Sequence, residues 1–259
     1  MIRIMARHCA VLSVALLASS EALAAPVPPP PVVSVPAVEA RVPTPATPAR
    51  TALAKQLVGY TQPKDLMLNA VLTGYERGAA EQGGNDLAAL DAIQPGLGAR
   101  LADRGKAELV ALVAERIPQM HERLATLFAA NCSEEELKSL IAFYSSPAGA
   151  KMIRGVTMSD RGGDSFDDEK LTAEEATSVN KAAARDVAKS LDGDEWLAMI
   201  KFATSPGGRA AKALGPQVQA ISAEWMTQLM ADFGKRIEPI VEQMVTQAAQ
   251  EADKKPGGH

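Results

Sequence analysis

Apolar residues along this chain recur at three- and four-residue spacings over most of its length, and no run of β-branched residues alternates at period two. That periodicity predicts helices throughout. A short helix is expected over 51–60. Pro63 opens a second, with Leu66, Leu68, Val71, Leu72 and Tyr75 on its apolar side, ending near Gly83-Gly84-Asn85. Asp86 can cap a short turn that stops at Pro95-Gly96. A long helical stretch follows over 97–130. Its apolar positions are Leu101, Leu109, Leu112, Val113, Ile117, Met120, Leu124, Leu127 and Phe128, and Pro118 should kink or divide it. Thr172 with Glu175 opens a charged helix whose apolar side is Ala176, Val179, Ala183 and Val187. Gly215-Pro216 is expected to break the chain. The last helix then carries Val218, Ile221, Trp225, Leu229, Phe233, Ile237, Ile240 and Met244, with Met226, Met230 and Val241 widening the stripe and Pro239 free to bend it.

The stretch Ser133 to Met152 holds the sharpest local signals. Ser133 and Glu136 form a capping box, in which the serine oxygen accepts a free amide at the helix start and the glutamate reaches back to the cap amide. Glu134 and Glu135 place negative charge at the positive end of the helix dipole. Leu137, Leu140, Ile141 and Tyr144 make the apolar face, with Phe143 beside it. Ser146 and Pro147 read as a second helix start, cap and first position, so the first helix should end near Ser145. Gly149 allows close approach of the two helices. The pattern returns at Asp192 and Glu195, followed by Trp196, Met199, Ile200 and Phe202 and by Ser205-Pro206-Gly207-Gly208. Phe143 and Phe202 lie 59 residues apart, and at that offset IAFYSSPAG falls over IKFATSPGG. The expected architecture is all-α, a helical bundle with two related helix–hinge–helix (Ser-Pro-x-Gly) units.

Residues 128–152 resemble the signature of the bacterial exported family called domain of unknown function 2059. That signature has an acidic helix start, an Ile-x-Phe-Tyr run and Ser-Pro-x-Gly-x-Lys. Here these are Glu134 to Glu136, Ile141 to Tyr144, and Ser146, Pro147, Gly149 and Lys151. The second copy departs from it, lacking the tyrosine and carrying Gly207, Arg209 and Ala210 where the first has Ala148, Ala150 and Lys151. The resemblance implies an all-α fold and an envelope location, and it implies no activity.

The ends of the chain read differently from the middle. Residues 1–24 have the form of a secretory signal peptide: Arg3, Arg7 and His8, a short apolar run from Cys9 to Ala18, and Ala22-Leu23-Ala24 before a mature start at Ala25. The apolar run is too short to span a bilayer stably. Residues 25–50 hold nine of the chain's 17 prolines, which favours an extended linker over a packed core. The domain is expected over 51–250, and residues 251–259 read as a disordered tail.

Charge and reactive residues narrow the function by exclusion. The formal charge is −4, becoming −5 once Arg3, Arg7 and Glu21 leave with the signal peptide, and both signs are interspersed without a basic stripe. Nucleic-acid binding and tight binding to an anionic membrane are therefore disfavoured. No metalloprotease, phosphate-loop, dinucleotide, hydrolase-elbow or paired-cysteine pattern occurs. His121, beside Glu122 on a charged helix, reads as a surface residue. Cys132 is the single cysteine left after processing, so an inert thiol is expected, with a disulfide-linked dimer as the alternative. Asp160, Asp164, Asp167, Asp168 and Glu169 surround Gly162-Gly163 without the spacing of an EF-hand, and read as a solvated loop. No catalytic, cofactor or metal residue is assigned. The expectation is a non-catalytic binding protein of the periplasm, whose partner is an envelope protein or an apolar small ligand. Met152, Met199, Met226 and Met230 would suit an adaptable apolar groove between the two halves, although each reads more readily as core. The alternatives are an envelope enzyme using carboxylates at Glu134 to Glu136 or in the Asp160 loop, and a ligand- or metal-binding protein.

Overall fold

The computed structural model describes residues 45–81, 89–158 and 185–254, and every regular element among them is helical. The helices are α1 (Pro48–Thr61), α2 (Lys64–Glu81), α3 (Leu97–Asn131), α4 (Glu134–Tyr144), α5 (Pro147–Thr157), α6 (Gly193–Thr204) and α7 (Pro206–Lys254). Further helical turns lie at 89–93 and 185–189. Helix α1 starts inside the segment read as linker, because Thr47 caps it by accepting the Arg50 amide and Pro48 occupies its first turn. Helix α7 likewise extends into the segment read as tail. The signal peptide, residues 25–44 of the linker, the Gly83-Gly84-Asn85 break, the Asp86 cap, the acidic loop, the Thr172 helix start and residues 255–259 lie outside the described residues.

Helix α3 is the spine. Its partners run antiparallel to it, as the order of the cross-links shows. Arg50 of α1 donates to the Cys132 carbonyl just past the end of α3, and Lys55 pairs with Glu122. Further along, Glu76 of α2 pairs with Lys106, and the Tyr75 hydroxyl donates to the Ala102 carbonyl. Helices α1 and α2 together therefore retrace α3. On the α7 side, Glu115, Arg116 and Arg123 pair with Arg236, Asp232 and Glu224 in descending order. These pairs are largely exposed, so they set register more than stability. The stability comes from one apolar core that includes Leu57, Met67, Val71, Leu112, Val113, Phe128, Leu137, Leu214, Val218 and Phe233.

Two expectations need correction. The chain does not break at Gly215-Pro216, and Pro118 does not divide α3: both helices continue through their prolines, as α7 does through Pro239. Pro118, Pro216 and Pro239 are all exposed, and so are Ala114, Lys212 and Lys235, whose carbonyls each proline leaves without a helical donor. Water can satisfy those carbonyls, while buried Ile117 and Met120, Leu214 and Val218, and Phe233 and Ile237 hold the helix against the core on either side. The second correction concerns α6. Met199 and Phe202 face the core, but Ile200, expected on the apolar side, is 37 % exposed, and Leu197 is 48 % exposed. Six of the seven residues from 196 to 202 are apolar or aromatic, so periodicity alone does not select the buried face.

Candidate functional site

The residues singled out by the repeated motif come together in one place. Both capping boxes form. Ser133 accepts the Glu136 amide while Glu136 accepts the Ser133 amide at 2.8 Å, and Asp192 and Glu195 reproduce the exchange, the latter at 3.0 Å. Each helix then ends on a serine that begins the next. Ser146 Oγ accepts the Gly149 amide at 3.2 Å and donates to the Phe143 carbonyl at 2.6 Å. Ser205 Oγ accepts the Gly208 amide at 3.1 Å and donates to the Phe202 carbonyl at 2.7 Å. One hydroxyl therefore terminates one helix and starts another, with Pro147 and Pro206 supplying the first residue of the second.

The glycine requirement has the same cause in both hinges. A side chain at Gly149 would strike the Phe143 carbonyl oxygen and come within 2.6 Å of the Tyr144 Cα. At Gly208 it would strike the Phe202 carbonyl oxygen and come within 2.9 Å of its carbon. The chain doubles back so tightly that the third residue after each serine touches the backbone it has just left.

The two hinges are interlocked. Phe143 and Phe202 stack with ring centroids 3.9 Å apart and planes inclined by 5°. Tyr144 packs edge-on against both rings, at 5.1 and 5.6 Å, and is itself 1 % exposed. Ser139 of α4 donates to Ser205 Oγ at 3.1 Å and accepts the Gly207 amide at 3.2 Å, tying the first unit to the start of α7. Lys151 of α5 reaches the Ser190 carbonyl at 2.7 Å and the Glu195 carboxylate at 2.9 Å, so the motif lysine holds the second capping box. That ammonium, and then the Asp192 amide, hold the Glu195 carboxyl below its usual range.

Sequence reasoning assembled the motif residues but missed two that join them, Ser139 and Ser190, and one core residue, Met67. Ser139 has no counterpart in the second copy, where Ala198 stands at the same offset. Ser190 contributes only a carbonyl, and Met67 supplies core at a position outside the expected stripe. Met152, Met199, Met226 and Met230 are all core residues, at most 6 % exposed. Glu134 and Glu135 are exposed at the start of α4 and Glu136 is engaged in its cap. Cys132 lies in the core at 1 % exposure, so a disulfide between two copies would require that turn to open. His121 is not the surface residue expected: it is half-buried, with Nε2 covered and without a hydrogen-bond partner. Among the described residues no group of three or more histidine, cysteine or carboxylate side chains is placed to hold a metal ion, and no helix is long and apolar enough to cross a membrane.

With the hinge geometry in view, the comparison with known families falls on its first copy. Residues 118–155 match the model of a family described as an uncharacterized protein conserved in bacteria (DUF2059). The match begins at Pro118 in the middle of α3, takes in the whole of α4 and ends in α5, so it contains one hinge and stops before the other. No curated protein and no solved structure matches the chain.

The capping serines can be weighed against each other. Ser146→Ala should cost about 1 kcal/mol, the usual loss for a helix cap. Ser205→Ala should cost more, at the upper end of about 2 kcal/mol for a cap, because the Ser139 hydroxyl loses its acceptor as well. Urea unfolding of the two variants measures the difference.

The Lys151–Glu195 contact should appear in the pH dependence of stability. A carboxyl whose folded value is lowered contributes stability that is present above its ordinary value of 4.5 and lost as pH falls through the folded value. Lys151→Ala should therefore shallow the acid limb of a plot of urea midpoint against pH, leaving the slope near neutrality unchanged. An unaltered acid limb would show that the contact carries no linkage.

Proposed function

We propose that this chain is an exported, periplasmic bacterial protein that acts by binding an envelope partner or an apolar small ligand rather than by catalysis. The observation that carries the non-catalytic reading is how the motif's polar groups are used. Ser146 and Ser205 cap helices, Glu136 and Glu195 complete capping boxes, and Lys151 clamps the second box to α5. A nucleophile or acid–base group needs an accessible face toward substrate, and these groups spend their hydrogen bonds inside the protein. The exported location rests on the leader pattern of residues 1–24 and the proline-rich stretch after it. The carboxylate-enzyme reading loses support at Glu134 to Glu136, two of which are exposed and one a cap.

Fractionation of the native host with N-terminal sequencing tests the location. The expected result is a periplasmic chain beginning at Ala25, and a cytoplasmic chain retaining Met1 would overturn it. Crosslinking in intact cells, with mass spectrometry of the natively purified protein, tests the mode of action. One reproducible envelope protein or a co-purifying apolar molecule is expected. Neither being found, together with turnover of a substrate by the purified chain, would replace binding with catalysis.

A further inference from the structure

His121 sits where α1 hands over to α2. Those two helices together retrace α3, and the turn between them, Gln62-Pro63, meets α3 at His121. Thr61 and Gln62 are buried there, at 2 % and 4 % exposure, an unusual place for an amide side chain. The Gln62 amide closes α1 by donating to the Val58 carbonyl, and the Thr61 hydroxyl donates to the Leu57 carbonyl. The imidazole of His121 bonds to the Gln62 backbone, and its Nε2 is covered by protein with nothing to bond to.

We propose that His121 is a proton-operated latch that holds the α1–α2 turn on α3 while neutral and releases it when protonated. A neutral imidazole with its Nδ1 proton on the Gln62 carbonyl leaves Nε2 as a bare acceptor, which is tolerable in apolar surroundings. Protonation would put an N–H and a positive charge at a covered atom with no acceptor. The charged groups around it give no relief. Lys64, at the start of α2, is a like charge acting on the ring. Glu122, the next residue on α3, is engaged by Lys55 of α1. Burial first, and then Lys64, hold the imidazole below its ordinary 6.5, against the opposing pull of the Gln62 carbonyl. The open state, with the ring in water, binds the proton more readily. Opening is therefore favoured as pH falls below 6.5 toward the lowered closed value. The element released is the turn that joins α1 to α2, while Ala54, Leu57 and Val58 keep the body of α1 in the core.

The test combines two measurements on the full chain between about pH 7.5 and 5, the range around an ordinary histidine. Nitrogen-15 NMR follows the His121 ring, and hydrogen exchange follows the α1 and α2 amides as protection factors. The ring should titrate below 6.5, and protection near the turn should fall by up to about tenfold per pH unit over that window. His121→Gln, which cannot take the proton, should abolish the fall. Should that variant not fold, Lys64→Gln keeps the histidine: its ring should titrate higher and lose less protection. An ordinary titration with flat protection, or a fall in protection that does not follow the ring, would overturn the latch.

Discussion

Phe143→Ala and Phe202→Ala should each destabilise the protein by about 3–5 kcal/mol, the range for removing a buried phenylalanine. Both rings are nearly inaccessible, at 6 % and 4 % exposure. Each contacts the other and Tyr144, so deletion of either leaves the remaining two without a face to pack on. The seam has little freedom to collapse, because each phenylalanine carbonyl is held by the serine of its own hinge. A loss of that size is a large part of the roughly 5–15 kcal/mol that stabilises a typical domain. Guanidinium unfolding followed by circular dichroism measures it. A loss below about 1 kcal/mol, closer to an ordinary surface change, would mean that the stack carries little of the fold.

The second large effect is expected at the hinge glycines. Gly149→Ala and Gly208→Ala should each cost at least the 1–3 kcal/mol, roughly, that overpacking a core costs. The obstacle here is a carbonyl already fixed in a hydrogen bond, and not the end of a side chain that could move aside. Neither glycine has a left-handed backbone, so closeness of approach is the whole requirement. Gly59→Ala supplies the control. A side chain there meets nothing within 4 Å, and alanine favours the helix by up to about 1 kcal/mol. Thermal melts should move down for the two hinge variants and level or up for the control. Hinge variants as stable as the parent would show that the helices have room to part.

The parts of this arrangement that could be read in the sequence are the local ones. Ser133 with Glu136, Asp192 with Glu195, and Ser146 with Pro147 act over three residues, and the structure realises each of them. The all-helical fold follows from periodicity for the same reason. Misreadings arose where distant packing decides. Gly215-Pro216 carries a strong local signal for a break, yet Leu214 and Val218 are buried on either side and the proline points to water. Ile200 and Met199 are equally apolar, and the positions of α4, α5 and α7 determine which of them is covered. His121 sits between charged neighbours in sequence, but the turn that covers it belongs to residues nearly sixty positions earlier. The candidate site was legible as a list of residues and not as an arrangement. The spacing of 59 says that two similar units exist, and it carries no information that their phenylalanines face each other or that Ser139 and Lys151 pin them together.

The central claim is that the two Ser-Pro-x-Gly hinges form one interlocked clasp and not two independent turns. A double-mutant cycle on Phe143 and Phe202, each changed to leucine to limit the cavity, tests it most directly by equilibrium unfolding. A coupling of about 0.5–1.5 kcal/mol is expected, as for directly packed aromatic pairs. Additive losses would contradict it, because two rings stacked at 3.9 Å cannot be removed independently.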